Sequence, residues 1–312
     1  MSRTVTINNL LGETQTKPSP DLSPFIRAVL QKRGTPSLRA PKDVYWMPDY
    51  FGLDKTSLWK KLGAEQKARV LQRLNKGLLE ESFYIEKSGM TYTSKMALLA
   101  ETNDERSLYT MLSCDEAVHF HLIASRIQGE PSPYDEQPFL VLLNKAVLEG
   151  GYSSLIFIAQ VLLEGWGLSH YHSLLKNCVC DDLSNVFRMI LKDEAIHHGS
   201  GLVMTKKHPF VKDEKEMVFT IIKEFFSLVR VGPLRVASAL AQEAGGLSES
   251  ELIGIFNELN GPASIEENLN TLTKLVRENT PDSSLPDFIE RNGLNKASSG
   301  EEFAKYLIGT LS

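Results

Sequence analysis

Two pentapeptides carry nearly the same pattern: Asp115-Glu116-Ala117-Val118-His119 and Asp193-Glu194-Ala195-Ile196-His197, each inside a long amphipathic helical run. On a helix, a Glu and a His three residues apart share one face, so both can ligate one ion while apolar neighbours pack around it. Two copies imply two ions. Spacing alone is a weak signal, because 26 Glu and 7 His generate such pairs by chance. The shared Asp-Glu-Ala-(Val/Ile)-His context, and acids at matching places in two further helices, raise it above chance.

The segments that must position these residues follow from periodicity. From Gly63, Val70, Leu71, Leu74, Leu78, Ile85 and then Met96, Leu98 and Leu99 recur at threes and fours, with Gly89 a place for a bend. Thr102-Asn103-Asp104-Glu105 offers an N-cap, and the pattern resumes through Leu108, Leu112, Val118 and Leu122 to Gly129, carrying the first motif. Pro131-Ser132-Pro133 ends it, and a new apolar run extends from Phe139 to about Leu175, interrupted by Gly150-Gly151. A helix continuous from Pro138 would put Glu164 roughly 39 Å from its start, against roughly 18 Å from Glu116 to the end of the preceding helix. A break at the glycines makes 138–149 a crossover, starts the third core helix near Tyr152 and restores a common level. Asp181-Asp182 caps a fourth helix, which runs through Val186, Met189, Ile190 and the second motif to about Lys206.

Bundle sites of this kind use one Glu on each of two helices and a Glu-x-x-His on each of the other two. On the first core helix, the line Val70, Leu74, Leu78, Glu81, Ile85 places Glu81 in an apolar stripe, with Glu80 nearer the side and Glu86 off it. On the third, the line Phe157, Gln160, Val161, Glu164, Leu168, Tyr171 does the same for Glu164, with Glu149 the weaker alternative. Four buried carboxylates repel one another unless cations hold them. The set Glu81, Glu116, His119, Glu164, Glu194 and His197 suits two divalent irons, or one manganese and one iron.

This arrangement, with intervals of 35, 48 and 30 residues between its acids, resembles the ferritin-like di-iron carboxylate superfamily. Lys192-Asp-Glu-Ala-Ile-His197 is similar to the second metal motif of the ribonucleotide reductase small subunit. The first-side interval and the Trp46-Met-Pro-Asp49 lead-in before Leu58-Trp59 resemble the p-aminobenzoate N-oxygenase branch. The likeness covers roughly residues 45–205. One departure is that the N-oxygenase branch has an extra histidine one turn before its last motif, where this chain has Ile190. The resemblance implies an all-α, ferritin-like four-helix bundle with a dimetal core, and O2 as co-substrate for hydroxylating, desaturating or otherwise oxidising an organic substrate. That substrate is a small molecule or is tethered to a carrier. It also implies that Asp115 and Asp193 each support the histidine of the opposite motif. Electrons come from a separate reductase or ferredoxin, since no nucleotide-binding glycine fingerprint is present. Rival expectations are a radical-generating subunit, an iron-storing or peroxide-scavenging protein, and a helical interaction protein with no metal.

Composition bounds these readings. The 312 residues carry a net charge of -5 with scattered Lys and Arg, which argues against nucleic-acid binding. The longest apolar run, around Leu155 to Leu163, is too short to span a bilayer. Cys114, Cys178 and Cys180 fit neither a disulfide framework nor a zinc site, so a reducing cytoplasm is expected. Residues 1–45 read as an irregular arm punctuated by Pro18, Pro20, Pro24, Pro36 and Pro41, residues 46–210 as the bundle, and 211–312 as further helices. Those helices are expected at Met217–Val231, Leu234–Ala244, Ser248–Leu259, Ile265–Glu278 and Glu301–Leu311, where they cover the bundle, shape an entrance or make a homodimer contact. His121, His198, His170 and His172 read as surface or cap residues, with His170 near enough to the cavity to act there. Tyr84, Tyr109 and Tyr171 lie within a helical turn or two of the proposed ligands and read as core aromatics, with a redox-active tyrosine among them the alternative.

Overall fold

The paired glycines that break the third apolar run sit where neither has room for a side chain. A Cβ on Gly150 would lie 2.6 Å from the Ala146 carbonyl, and one on Gly151 would lie 2.0 Å from the Glu214 carboxylate. That carboxylate accepts from Ser153 Oγ and the Ser154 N–H, both at 2.6 Å, and so caps the next helix. On the other side, Lys95 Nζ donates to the carbonyls of Val147, Leu148 and Gly150 at 2.7–3.1 Å and closes the preceding one. The predicted crossover is thus a helix in its own right, and the third core helix starts at Tyr152 as expected.

The computed structural model describes residues 20–35, 39–133 and 137–311, and among these it is all-helical with no strand. In chain order the helices are α1 (Ser23–Lys32), α2 (Ser57–Lys61), α3 (Ala64–Leu99), α4 (Asn103–Ala124), α5 (Pro138–Glu149) and α6 (Tyr152–Leu155). From α6 the chain passes without a break through a π-helical segment (Ile156–Leu163) into α7 (Glu164–Asn177), and then into α8 (Asp181–Lys207). The remainder forms α9 (Lys212–Val229), α10 (Leu234–Ala244), α11 (Glu249–Glu258), α12 (Gly261–Asn279), α13 (Ser284–Arg291) and α14 (Gly300–Leu311). No helix is long and apolar enough to cross a membrane.

Helix α3 packs along α4, α7 and the π segment pack along α8, and α4 crosses to α8. The α3–α4 turn is fixed by a reciprocal cap. Thr102 Oγ1 accepts the Glu105 N–H at 3.2 Å, and Glu105 Oε2 accepts the N–H groups of Thr102 and Glu101 at 3.2 and 3.0 Å. Two apolar clusters fill the two ends of this four-helix arrangement. One gathers Phe83, Leu122, Phe187 and Ile190; the other gathers Met96, Leu112, Ile156 and Ala159. A third cluster joins Val70 and Leu74 of α3 to Ile222, Phe226, Leu240 and Leu269, so the chain after α8 packs on the outside of α3 and of the π segment.

Three expectations change. The arm contains α1, because Pro24 sits in its first turn, where a missing N–H costs nothing; residues 1–19, including Pro18, and Pro36 lie outside the described residues. Asp181 and Asp182 occupy the first turn of α8 after Cys180 and act on the helix dipole rather than as a cap. Helix α13 was not anticipated, its eight residues being too short for periodicity to reveal.

Candidate metal centre

Between the two end clusters, α3, α4, α7 and α8 bring six side chains to one level. Glu86, Glu116, His119 and Glu194 form one group whose ligand atoms all lie within 4.8 Å of one another, and Glu116, Glu164, Glu194 and His197 form a second. Glu116 and Glu194 belong to both. Each group therefore has one histidine, one carboxylate of its own and two that it shares. Both imidazoles are 0 % exposed, and no carboxylate exceeds 8 %.

A carboxylate stands behind each imidazole. His119 Nε2 lies 3.0 Å from Asp193 Oδ2, and His197 Nε2 lies 3.7 Å from Asp115 Oδ2, so each motif's aspartate faces the histidine of the other. The crossing follows from the antiparallel approach of α4 and α8, which sets each Asp beside the opposite ring. With the proton on Nε2, each Nδ1 presents a lone pair to the carboxylates. His119 Nδ1 lies 3.2 Å from Glu86 and 3.7 Å from Glu194; His197 Nδ1 lies 3.2 Å from Glu116 and 3.7 Å from Glu194. Neither Nδ1 is hydrogen-bonded, nor are Nε2 of His197, Oε2 of Glu86 and Oε2 of Glu164, although all five atoms are buried.

The charge state shows what this burial costs. Desolvation pushes Glu116 up to about 7 and Glu164 up to about 8, and burial beside those two carboxylates holds Glu194 well above the usual range. Burial alone would lower the histidines, but surrounding carboxylates outweigh it. Asp193 and Glu86 raise His119, and Asp115 and Glu116 take His197 to about 12. Leaving a buried carboxylate uncompensated costs several kcal/mol, so a packed apolar core would be more stable than this cluster. Two divalent cations would neutralise four ionised carboxylates and occupy the orphaned Nδ1 and Oε2 atoms, so the donor set fits them.

Neighbouring residues fix the ligand geometry. Glu164 is the first residue after the π segment, whose i→i+5 bonding rotates the face that α7 presents to the bundle. Gln160 within that segment donates to the His197 carbonyl at 2.9 Å and to Ser200 Oγ at 2.8 Å, and accepts from Tyr109 at 3.0 Å. The Tyr92 hydroxyl donates to Glu164 and the Tyr171 hydroxyl to Glu86. Gly89 leaves the space Glu116 needs, because a Cβ there would sit 2.3 Å from Glu116 Oε2.

Glu116, His119, Glu164, Glu194 and His197 stand where the sequence placed them. Glu81 does not. Its carboxylate pairs with Arg235 of α10 and lies 3.8 Å from His170 Nε2, while Glu86 takes the place in the cluster. The stripe Val70–Leu74–Leu78–Glu81 is real, but its lower part is the face of α3 covered by the later helices. The face toward α4 and α8 is rotated from it and runs through Phe83, Glu86, Gly89 and Thr93. Gly89, three residues after Glu86, was the signal for it. Glu149 is exposed, and Ile190 is buried among apolar side chains and supplies no donor. Tyr84 bonds the Ser132 carbonyl at 2.8 Å, His172 is exposed, and the three cysteines are free thiols.

A cavity of about 240 Å³ opens beside the cluster, touching Glu116, Glu164 and Glu194 and otherwise walled largely by Leu143, Leu163, Trp166, Phe225, Leu228 and Val229. His170 lines it too, its ring pushed down in pKa by burial. Helix α9 thus supplies part of its wall. Comparison with known proteins finds no family model, no curated protein and no solved structure that matches this chain.

Proposed function

We propose that the protein is a non-haem dimetal oxygenase or oxidase with a ferritin-like core, using O2 to oxidise an organic substrate. The observation that carries this reading is the pair of interlocked groups sharing Glu116 and Glu194, opening onto an apolar cavity. Glu86, Glu116, Glu194 and His119 would hold one ion, and Glu116, Glu164, Glu194 and His197 the other. Two irons, or one manganese and one iron, would supply O2 activation there, with electrons from a separate reductase or ferredoxin.

The chain's own part is geometric. Asp193 keeps the His119 imidazole in the tautomer that offers Nδ1, and Asp115 stands 3.7 Å behind that of His197. Tyr92 and Tyr171 orient the unshared carboxylates. The apolar cavity wall holds the substrate beside the cluster and keeps bulk water away. The free thiols suit a reducing cytoplasm.

The test is metal content after anaerobic Fe(II) loading and desalting. About two irons per wild-type chain are expected, lost in a Glu116→Ala/Glu194→Ala variant. Fewer than about half an iron in both proteins would refute the reading. A second reading, a radical-generating subunit, draws on the hydroxyls of Tyr92 and Tyr171 bonding directly to cluster carboxylates. Electron paramagnetic resonance after O2 exposure separates the two, since a stable tyrosyl signal lost in Tyr171→Phe or Tyr92→Phe belongs only to the second.

A further inference from the structure

A cleft of about 1260 Å³ lies along α3 on the side of α10 and the turn after α4, lined by six Lys and Arg side chains against three Asp and Glu. That balance is opposite in sign to the chain's net charge of -5. Most of its cations already have partners: Arg69 and Arg73 bind Glu243, Lys76 lies 3.4 Å from Glu80, and Arg235 pairs with Glu81. Arg126 is different. It is 2 % exposed, its Nε and Nη2 are buried without a hydrogen-bond partner, and no carboxylate among the described residues pairs with it. Nε and Nη2 form the side edge of the guanidinium, which grips a carboxylate or phosphate with two parallel hydrogen bonds. A buried guanidinium without a counter-charge is as costly as a buried carboxylate without one, so the geometry calls for an anion.

The cleft also borders the inner cavity. Glu81, Phe139 and Leu228 line both. Arg126 lies in the turn after α4, whose eight residues from Glu116 to Ala124 span about 12 Å at the helical rise. A molecule that reached from one to the other would need an anionic end, a medium-length body, and an apolar surface where it meets Phe139 and Leu228.

We propose that Arg126 anchors the anionic head group, a carboxylate or phosphate monoester, of an organic substrate whose apolar body passes the Glu81–Arg235 pair into the cavity beside the carboxylate cluster. The inference rests on the dimetal reading for what happens in the cavity. Binding itself requires no metal, so the two can fail separately.

The experiment is isothermal titration of the metal-free full-length chain with decanoate, decyl phosphate, decan-1-ol and inorganic phosphate, each below its micellar or solubility limit. Saturable binding of one decanoate or decyl phosphate per chain is expected, with decan-1-ol at least about tenfold weaker. The tighter of the two anions identifies the head group. Arg126→Met should weaken that binding at least about tenfold, with the melting transition still cooperative. If Arg126→Met does not fold, Leu228→Trp gives the second test: it fills the cavity and should abolish decanoate or decyl phosphate binding. Equal affinity for decan-1-ol, equal affinity for inorganic phosphate, or unchanged binding in a folded variant would overturn the proposal. Iron content of the same preparations, measured separately, reports on the dimetal reading alone.

Discussion

Asp193 of α8 lies 3.0 Å from Nε2 of His119 on α4, next to Glu194, which belongs to both carboxylate groups. One turn of α8 thus supplies both a shared donor and the support for the opposite histidine. Asp193→Ala should lower metal affinity about 10–100-fold with helicity intact. Asp115→Ala should cost less, because Asp115 stands 3.7 Å from His197 and is 35 % exposed. Chelator-competition titration with Co(II) measures both, and equal or reversed losses would contradict this division.

Glu86 and Glu81 make a sharper pair. Glu86→Gln should reduce iron from about two to about one per chain, whereas Glu81→Gln should leave about two. Metal loss in Glu81→Gln with full retention in Glu86→Gln would restore the sequence-based assignment.

Gly89→Ala separates helix stability from site geometry. Alanine would favour the helix by about 1 kcal/mol, yet its Cβ would fall 2.3 Å from Glu116 Oε2. Circular dichroism should show undiminished helix while metal affinity falls at least about tenfold. Wild-type affinity in this variant would mean that Glu116 has room to move.

The metal-free protein should lose stability as pH rises from 5 to 8. Glu116 and Glu164 titrate at about 7 and about 8 when folded, above the roughly 4.3 of an unfolded Glu. The native state therefore binds extra protons. Their stabilising contribution is complete below the unfolded value and is lost as pH passes the folded ones. His197, raised to about 12, acts in the same direction above the unfolded histidine value of about 6.5. The urea midpoint should fall across this window in wild type and fall less in Glu164→Gln. Metal affinity should rise over the same range as protons cease to compete. A midpoint that climbs with pH would contradict the charge pattern of the cluster.

Much of the cluster was legible in the sequence because its information is local. Glu116 with His119, and Glu194 with His197, share a face by helical spacing alone, and Gly150-Gly151 marked the break that set Glu164 at the right level. The aspartates' cross-support was implied by the family resemblance, and the pairing of α4 and α8 brings Asp193 to His119 while Asp115 stays 3.7 Å from His197. Glu86 was not legible. Periodicity tells which residues of α3 lie on one face, but α3 is covered on more than one, by α4 and by α5 and α10. Only packing decides which neighbour takes which face. The same holds for the π segment, whose apolar residues read like any buried helix, and for the cavity wall, which α9 supplies from about sixty residues downstream of Glu164. The unpaired edge of Arg126 belongs to this class as well, since what a charge lacks depends on every element folded around it. The chain's own order thus determined the helices, the two motifs and the residue types that can hold cations. The tertiary structure decided which acid on α3 joins them, where a cavity opens beside them, and which buried charge is left without a partner.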